Sequence, residues 1–263
     1  MQIACLSRIA GNCLTAPAAR TRAALLAVTL LAVTLLAATL PPSLLAAQAA
    51  TPEAVDASVH GLPLTEVPAR RAGDALAVFL TGDGGFAELD KQIAHVLADS
   101  GIAVVALDTR AYLWQQRTPE ETARDVARVA RRYAAAWHRD RIILAGYSHG
   151  ADILPFVADR LPPDVASRVS LLAMLGLGTG ASFQFHFADL LRDVRRKTDL
   201  PILPELEKLR GHSMLCIYGT DEDDSACRDA DSTLIARRPL PGDHHFDRAY
   251  AAIAGIIAAA ADR

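Results

Sequence analysis

From residue 76 onward the chain alternates two kinds of apolar pattern. One is the short continuous run: "LAVFL" (76–80), "IAVVALD" (102–108), "RIILAG" (141–146), "VSLLAML" (169–175) and "SMLCIYG" (213–219). Runs of this length, apolar on both faces, read as strands covered on both sides of a sheet. "DSTLIARRPL" (231–240) reads as a weaker strand. The other pattern has helical spacing. In "AELDKQIAHVLADSG" (87–101), Leu89, Ile93, Val96 and Leu97 share a face and Gly101 offers a C-cap. "TPEETARDVARVARRYAAAWH" (118–138) opens on Thr118 as N-cap, with Pro119 in the first turn and Glu121 three residues after the cap. "HGADILPFVADRL" (149–161), kinked at Pro155, and "DRAYAAIAGIIAAAADR" (247–263) complete the helices.

Strands alternating with helices predict an α/β fold, a mostly parallel central sheet flanked by helices, with residues 76–263 as a single domain. Residues 50–75, broken by prolines and glycines, read as a leader carrying one edge strand. The largest insertion, from Gly180 to about Leu200, leaves room for a small lid or none. Within it Phe183, Phe185 and Phe187 alternate, which fits an acyl pocket or a cover over the sheet equally well. Arg124, Arg128 and Arg131 share a helix face and are expected to be solvated, paired with Glu120 and Glu121.

The N-terminus has the pattern of a targeting segment. Arg8, Arg20 and Arg22 precede the apolar stretch "AALLAVTLLAVTLLAATL" (23–40), and Ala47-Gln48-Ala49 fits an A-x-A cleavage site. Residues 1–49 are therefore expected to be a removed signal peptide; the alternative is an uncleaved anchor, since the stretch is near spanning length. Cleavage leaves about 214 residues and, with three arginines gone, moves the formal charge from −3 to about −6. An acidic chain of this kind does not suit nucleic acid. The two cysteines that remain, Cys216 and Cys227, are expected to form a disulfide in an exported protein.

In parallel α/β sheets, ligands bind beyond the carboxyl ends of the strands. Those ends carry "TGDGGF" (81–86), Tyr147-Ser148-His149, "TDEDDSAC" (220–227) and "PGDHHF" (241–246). The order of reactive residues is Ser, acid, His, the order used by α/β-hydrolases. Gly146-Tyr147-Ser148-His149-Gly150 makes Ser148 the candidate nucleophile on a sharp strand-to-helix turn. A serine hydroxyl needs a base within hydrogen-bond reach, and either His244 or His245 can serve. Asp224 is the expected acid, with Asp223 and Asp221 as alternatives and Glu222 less favoured. Backbone N–H groups of Asp83 and His149 are the expected oxyanion donors. His244, His245 and Asp247 do not read as a metal site, because adjacent histidines rarely face one ion. The chemistry asks for no metal and no organic cofactor.

Across "TGDGGFAELDK" (81–91), "GIAVVALDTRAYLWQQRTPEETARD" (101–125), "GYSHGADILPF" (146–156), "LCIYGTDEDDSAC" (215–227) and "PGDHHFD" (241–247) the chain resembles the AcvB/VirJ family of bacterial virulence proteins. It departs from that pattern at Phe86, where tryptophan is expected, and at His149, where phenylalanine is expected. The resemblance implies a periplasmic α/β-hydrolase fold. It also implies hydrolysis of aminoacyl esters of phosphatidylglycerol at the membrane surface, and a link to type IV secretion proteins. The alternatives are a non-catalytic periplasmic partner of the secretion machinery and an exported esterase or peptidase of other specificity.

Overall fold

The computed structural model describes residues 59–187 and 196–262. The expected signal peptide (1–49) lies outside the described residues. The five continuous apolar runs form β2 (Ala75–Leu80), β3 (Ala103–Leu107), β4 (Arg141–Tyr147), β5 (Val169–Leu175) and β8 (Met214–Gly219). With β1 (Leu64–Val67) and β9 (Ala236–Leu240) they build one sheet in the order β1-β3-β2-β4-β5-β8-β9. All neighbours are parallel except the edge strand β1, which runs antiparallel to β3.

Alternate strand residues feed two apolar layers. Leu76, Val78 and Leu80 face α3 (Pro119–Ala136) and α4 (His149–Asp159), while Ala75, Ala77 and Phe79 face α1 (Glu88–Asp99) and α8 (Tyr250–Ala261). All six residues of β2 are buried, which is why its sequence is a continuous apolar run rather than an alternating one. The α/β-hydrolase fold is thus built around a doubly covered parallel sheet.

Helix α3 starts as its sequence dictates. Thr118 Oγ1 accepts from Glu121 N at 3.1 Å and Glu121 Oε2 accepts from Thr118 N at 2.8 Å, a reciprocal capping box. Glu121 is occupied by this cap, so the expected pairing along the helix does not form. Arg128 pairs with Asp125, Arg131 takes Asp164 through two bonds of 2.7 Å, and Glu120 takes Arg160 at 2.9 Å.

Two boundaries shift for local reasons. Only 236–240 of the weak strand is extended, because Asp231 folds the preceding residues into a turn, accepting from Thr233 N at 2.8 Å. The last helix begins at Tyr250, since Phe246, Asp247 and Arg248 all take positive φ in a 3₁₀ turn. The insertion holds a short antiparallel pair, β6 (Gly180–Ala181) with β7 (Leu200–Pro201), followed by α6 (Ile202–Lys208). Pro201 and Pro204 obscure that helix in the sequence, yet both sit at its start, where no N–H is missed.

The sheet places the candidate residues together. Strand β3 lies on one side of β2 and β4 on the other, so the chain order reverses between the carboxyl ends of β2 and β4. A crevice opens at such a reversal. The loop 81–86 and Ser148 flank it.

Candidate active site

Ser148 is the N-cap of α4, with φ 53° and ψ −123°. A residue with a Cβ is disfavoured there, and such strain is found mainly at functional positions. The turn is possible because its two glycines lack Cβ atoms. One on Gly146 would stand 2.5 Å from the Gly150 carbonyl oxygen, and one on Gly150 would stand 2.5 Å from that of Thr81. The Ser148 N–H is tied to the Leu175 carbonyl at 2.9 Å, which fixes the turn against β5.

Of the two histidines, His244 enters the site. It lines a cavity of about 380 Å³ together with Ser148, Asp83, His149, Glu222 and Asp224. Its Nδ1 hydrogen-bonds Glu222 Oε1. A carboxylate only accepts, so Nδ1 carries the proton and Nε2 is left as the basic nitrogen. His245 turns away. Its Nδ1 lies 3.1 Å from the Tyr147 hydroxyl, and its side chain is exposed.

The geometry sets Glu222, rather than the expected Asp224, against His244. Asp224 lines the cavity, but the carboxylate on the His244 ring belongs to Glu222. After β8 the chain closes a turn in which Glu222 N donates to the Gly219 carbonyl at 3.2 Å. That turn folds Glu222 back over the strand end, where its Oε2 accepts from Gly219 N at 2.6 Å. The side chain of Glu222 is only 9% exposed. Asp221 and Asp223 are exposed on the outside of the turn. The longer glutamate reaches the imidazole from a position no aspartate of the cluster occupies.

The acid loop is held from behind. Cys216 in β8 and Cys227 in α7 (Ala226–Asp229) form a disulfide with Cα atoms 5.8 Å apart. Ser225 Oγ donates to the Leu177 carbonyl at 3.1 Å and Ala226 N donates to the same oxygen at 3.0 Å.

Asp83 and His149, which also line the cavity, meet. His149 Nδ1 is 2.7 Å from Asp83 Oδ1, and Nε2 is 2.6 Å from the Ser182 carbonyl oxygen. Burial pushes the imidazole toward its neutral form. The bonds to Asp83 and Ser182 outweigh it, and its pKa rises from 6.5 to about 9.

The aromatics of the insertion divide. Phe183 and Phe185 are buried, Phe183 edge-on to Phe156 at 5.9 Å and Phe185 stacked on Trp114 at 5.7 Å. Neither lines the cavity, so they cover the helical layer rather than form an acyl pocket. Phe187 and Trp114 are 69% and 67% exposed.

The sequence pattern of the bacterial virulence protein (VirJ) family matches residues 74–263. The chain belongs to the VirJ family. No functionally curated protein matches it. Among solved structures, Est1E from Butyrivibrio proteoclasticus aligns over 76% of this chain and 93% of its own, with 13% identity and a TM-score of 0.53. MenH from S. aureus aligns over 76% and 99%, with 12% identity and a TM-score of 0.53. A lipase in its open form aligns over 76% and 93%, with 11% identity and a TM-score of 0.54. These likenesses establish the α/β-hydrolase fold.

In this VirJ-family chain the cavity is strongly acidic. Asp83, Asp152, Asp199, Glu222 and Asp224 line it, against Arg196 and the two histidines. Sequence reasoning missed one positioning residue, Tyr147. Its ring stacks on His244 at 5.2 Å, and its hydroxyl reaches the His244 carbonyl at 3.2 Å. The signal was present as an aromatic beside the nucleophile. Among the described residues no group of three or more His, Cys, Asp and Glu is placed to hold a metal ion, and no helix is long and apolar enough to cross a membrane.

Proposed function

We propose that this protein is an exported serine hydrolase of the periplasm that cleaves an ester whose acyl group carries a positive charge. An aminoacyl ester of phosphatidylglycerol, such as lysyl-phosphatidylglycerol, is the substrate favoured by its family likeness. The observation that carries the reading is the grouping of Ser148, His244 and Glu222 in one acid-lined cavity. Ser148 Oγ attacks the ester carbonyl while His244 Nε2 takes its proton, and Glu222 steadies the imidazolium that results. The N–H groups of Asp83 and His149 receive the charge on the carbonyl oxygen. His244 then returns the proton to the departing lipid alcohol, and water releases the acyl group by the reverse steps.

Carboxylates around a partly enclosed cavity attract and orient an ammonium group, and their field acts on a bound cation with less screening than in bulk water. The exposed rings of Trp114 and Phe187 favour a lipid surface as the source of the substrate. Trp114 stacks on Phe185, three residues beyond the cavity-lining Ser182, and an apolar indole with one N–H donor suits a membrane interface.

The test uses residues 50–263, wild type and Ser148→Ala, incubated with vesicles of lysyl-phosphatidylglycerol or of plain phosphatidylglycerol. Free lysine is expected from the wild type on the first vesicles only, together with fluorophosphonate labelling that Ser148→Ala abolishes. Equal labelling of both proteins, or lysine release by the variant, would overturn the reading.

A further inference from the structure

His149 is the residue after the candidate nucleophile, and its ring is buried with a partner at each nitrogen. The Asp83 carboxylate and the Ser182 carbonyl are both acceptors. A neutral imidazole can donate from one nitrogen only, so satisfying both partners requires the ring to carry two protons and a positive charge. The two residues joined here side chain to side chain, Asp83 and His149, are the same two whose backbone N–H groups are proposed as the oxyanion donors. The third partner, Ser182, belongs to the insertion. Its own hydroxyl bonds the Gln184 carbonyl at 3.0 Å, and the Phe183 carbonyl accepts from Arg117 N at 2.9 Å.

We infer that His149 is a positioning residue, a tie charged at neutral pH that sets the separation of the two oxyanion N–H donors and fastens the insertion to the nucleophile turn. The inference rests on the serine-hydrolase reading of the site. The tie has a physical purpose. The loop 81–86 carries Gly82, Gly84 and Gly85, a stretch with little side chain to hold its N–H groups in place. Gly85 adopts φ +69° against Asp108. A loop this rich in glycine loses much entropy when fixed, and an ion pair to the adjacent helix start supplies the restraint. Oxyanion donors act only if preorganised, so the cost of loosening falls on kcat rather than on KM.

The charged groups around the ring are Asp83 on the loop after β2, Asp152 on its own helix, and Arg196 and Asp199 before β7. Glu222, Asp224 and His244 lie across the cavity. Asp152 is committed to Gly178 N at 2.7 Å, so Asp83 is the carboxylate in direct contact. The raised pKa of about 9 accords with this arrangement.

The experiment compares wild type with His149→Phe, His149→Gln, Asp83→Asn and the Asp83→Asn/His149→Gln pair. Phenylalanine keeps the ring volume and removes both donors. For His149→Phe, kcat is expected to fall about 10²-fold, with KM changed by less than about threefold and Ser148 still labelled by fluorophosphonate. The double variant is expected to be no worse than its weaker single component, because one tie is being cut twice. Wild-type kcat is expected to fall as pH rises through about 9, and this limb disappears in His149→Phe. In Ser148→Ala protein, ¹⁵N NMR at pH 7.5 is expected to show both His149 ring nitrogens protonated. A neutral ring there, unchanged kcat in both His149 variants, or additive losses in the double variant would each overturn the inference. Wild-type protein that neither labels nor hydrolyses overturns the hydrolase reading instead, and the NMR result still decides whether the charged tie exists.

Discussion

The His244 imidazole is held by Glu222, two positions before the aspartate that the cluster of acids first suggests. The bond leaves Nε2 as the basic nitrogen of a ring that lines the cavity. Glu222→Gln keeps the shape and removes the charge that steadies the imidazolium, so kcat is expected to drop by about 10³- to 10⁴-fold. Asp224→Asn is expected to change kcat by less than about threefold, its effect falling on KM for a cationic ester. Steady-state kinetics on a charged and an uncharged ester separates the two.

Gly176 lies directly beneath the same ring. It has φ +59°, and a Cβ there would stand 2.5 Å from His244 Cε1. Gly176→Ala must displace the imidazole within the cavity that it shares with Ser148. A displacement near 1 Å costs about 10²-fold in rate, and a crystal structure of the variant is expected to show the rotated ring with Glu222 in place.

Asp90 is buried, accepts from Ala87 N at 3.0 Å through one oxygen, and has its other oxygen without a partner. Burial is the main cause that raises its pKa from 3.8 to about 6, with Asp108 adding to it. The folded protein therefore binds this proton more tightly than the unfolded chain does. The associated stability is complete below pH 3.8 and is lost as pH rises through about 6. Asp90→Asn is expected to raise stability at pH 7.5 by up to about 3 kcal/mol and to give no gain at pH 3.5, as read by urea unfolding at the two pH values.

The Cys216–Cys227 bridge closes a short loop, with a sequence separation of 11, that contains Glu222. Replacing both cysteines by serine is expected to cost about 2–3 kcal/mol. It should also lower kcat, because Glu222 then depends on the Gly219 turn and the Ser225 anchor alone. A melting curve and a rate measurement on the same sample check both parts.

The fold was legible because its signal is redundant. Each central strand is buried on both faces, so each reads as an apolar run, and Thr118, Pro119 and Glu121 mark a helix start by chemistry that needs no tertiary context. The Ser148 turn was legible for a related reason, since Gly146 and Gly150 are demanded by local contacts. What the sequence does not reveal depends on reach across loops. Glu222 wins over Asp224 only because the Gly219 turn folds it back. His244 and His245 part company along a loop whose path no local pattern announces, with positive φ at Gly242 and at residues 246–248. The arginine pairings of α3 failed for the same reason, as Asp164 and Arg160 arrive from other elements.

Ser148 holds a backbone conformation that glycine would adopt at almost no cost. Ser148→Gly would therefore relax the turn and remove the hydroxyl in one step, whereas Ser148→Ala removes the hydroxyl and leaves the strain. At this turn the backbone's preference and the serine chemistry proposed for it thus pull in opposite directions.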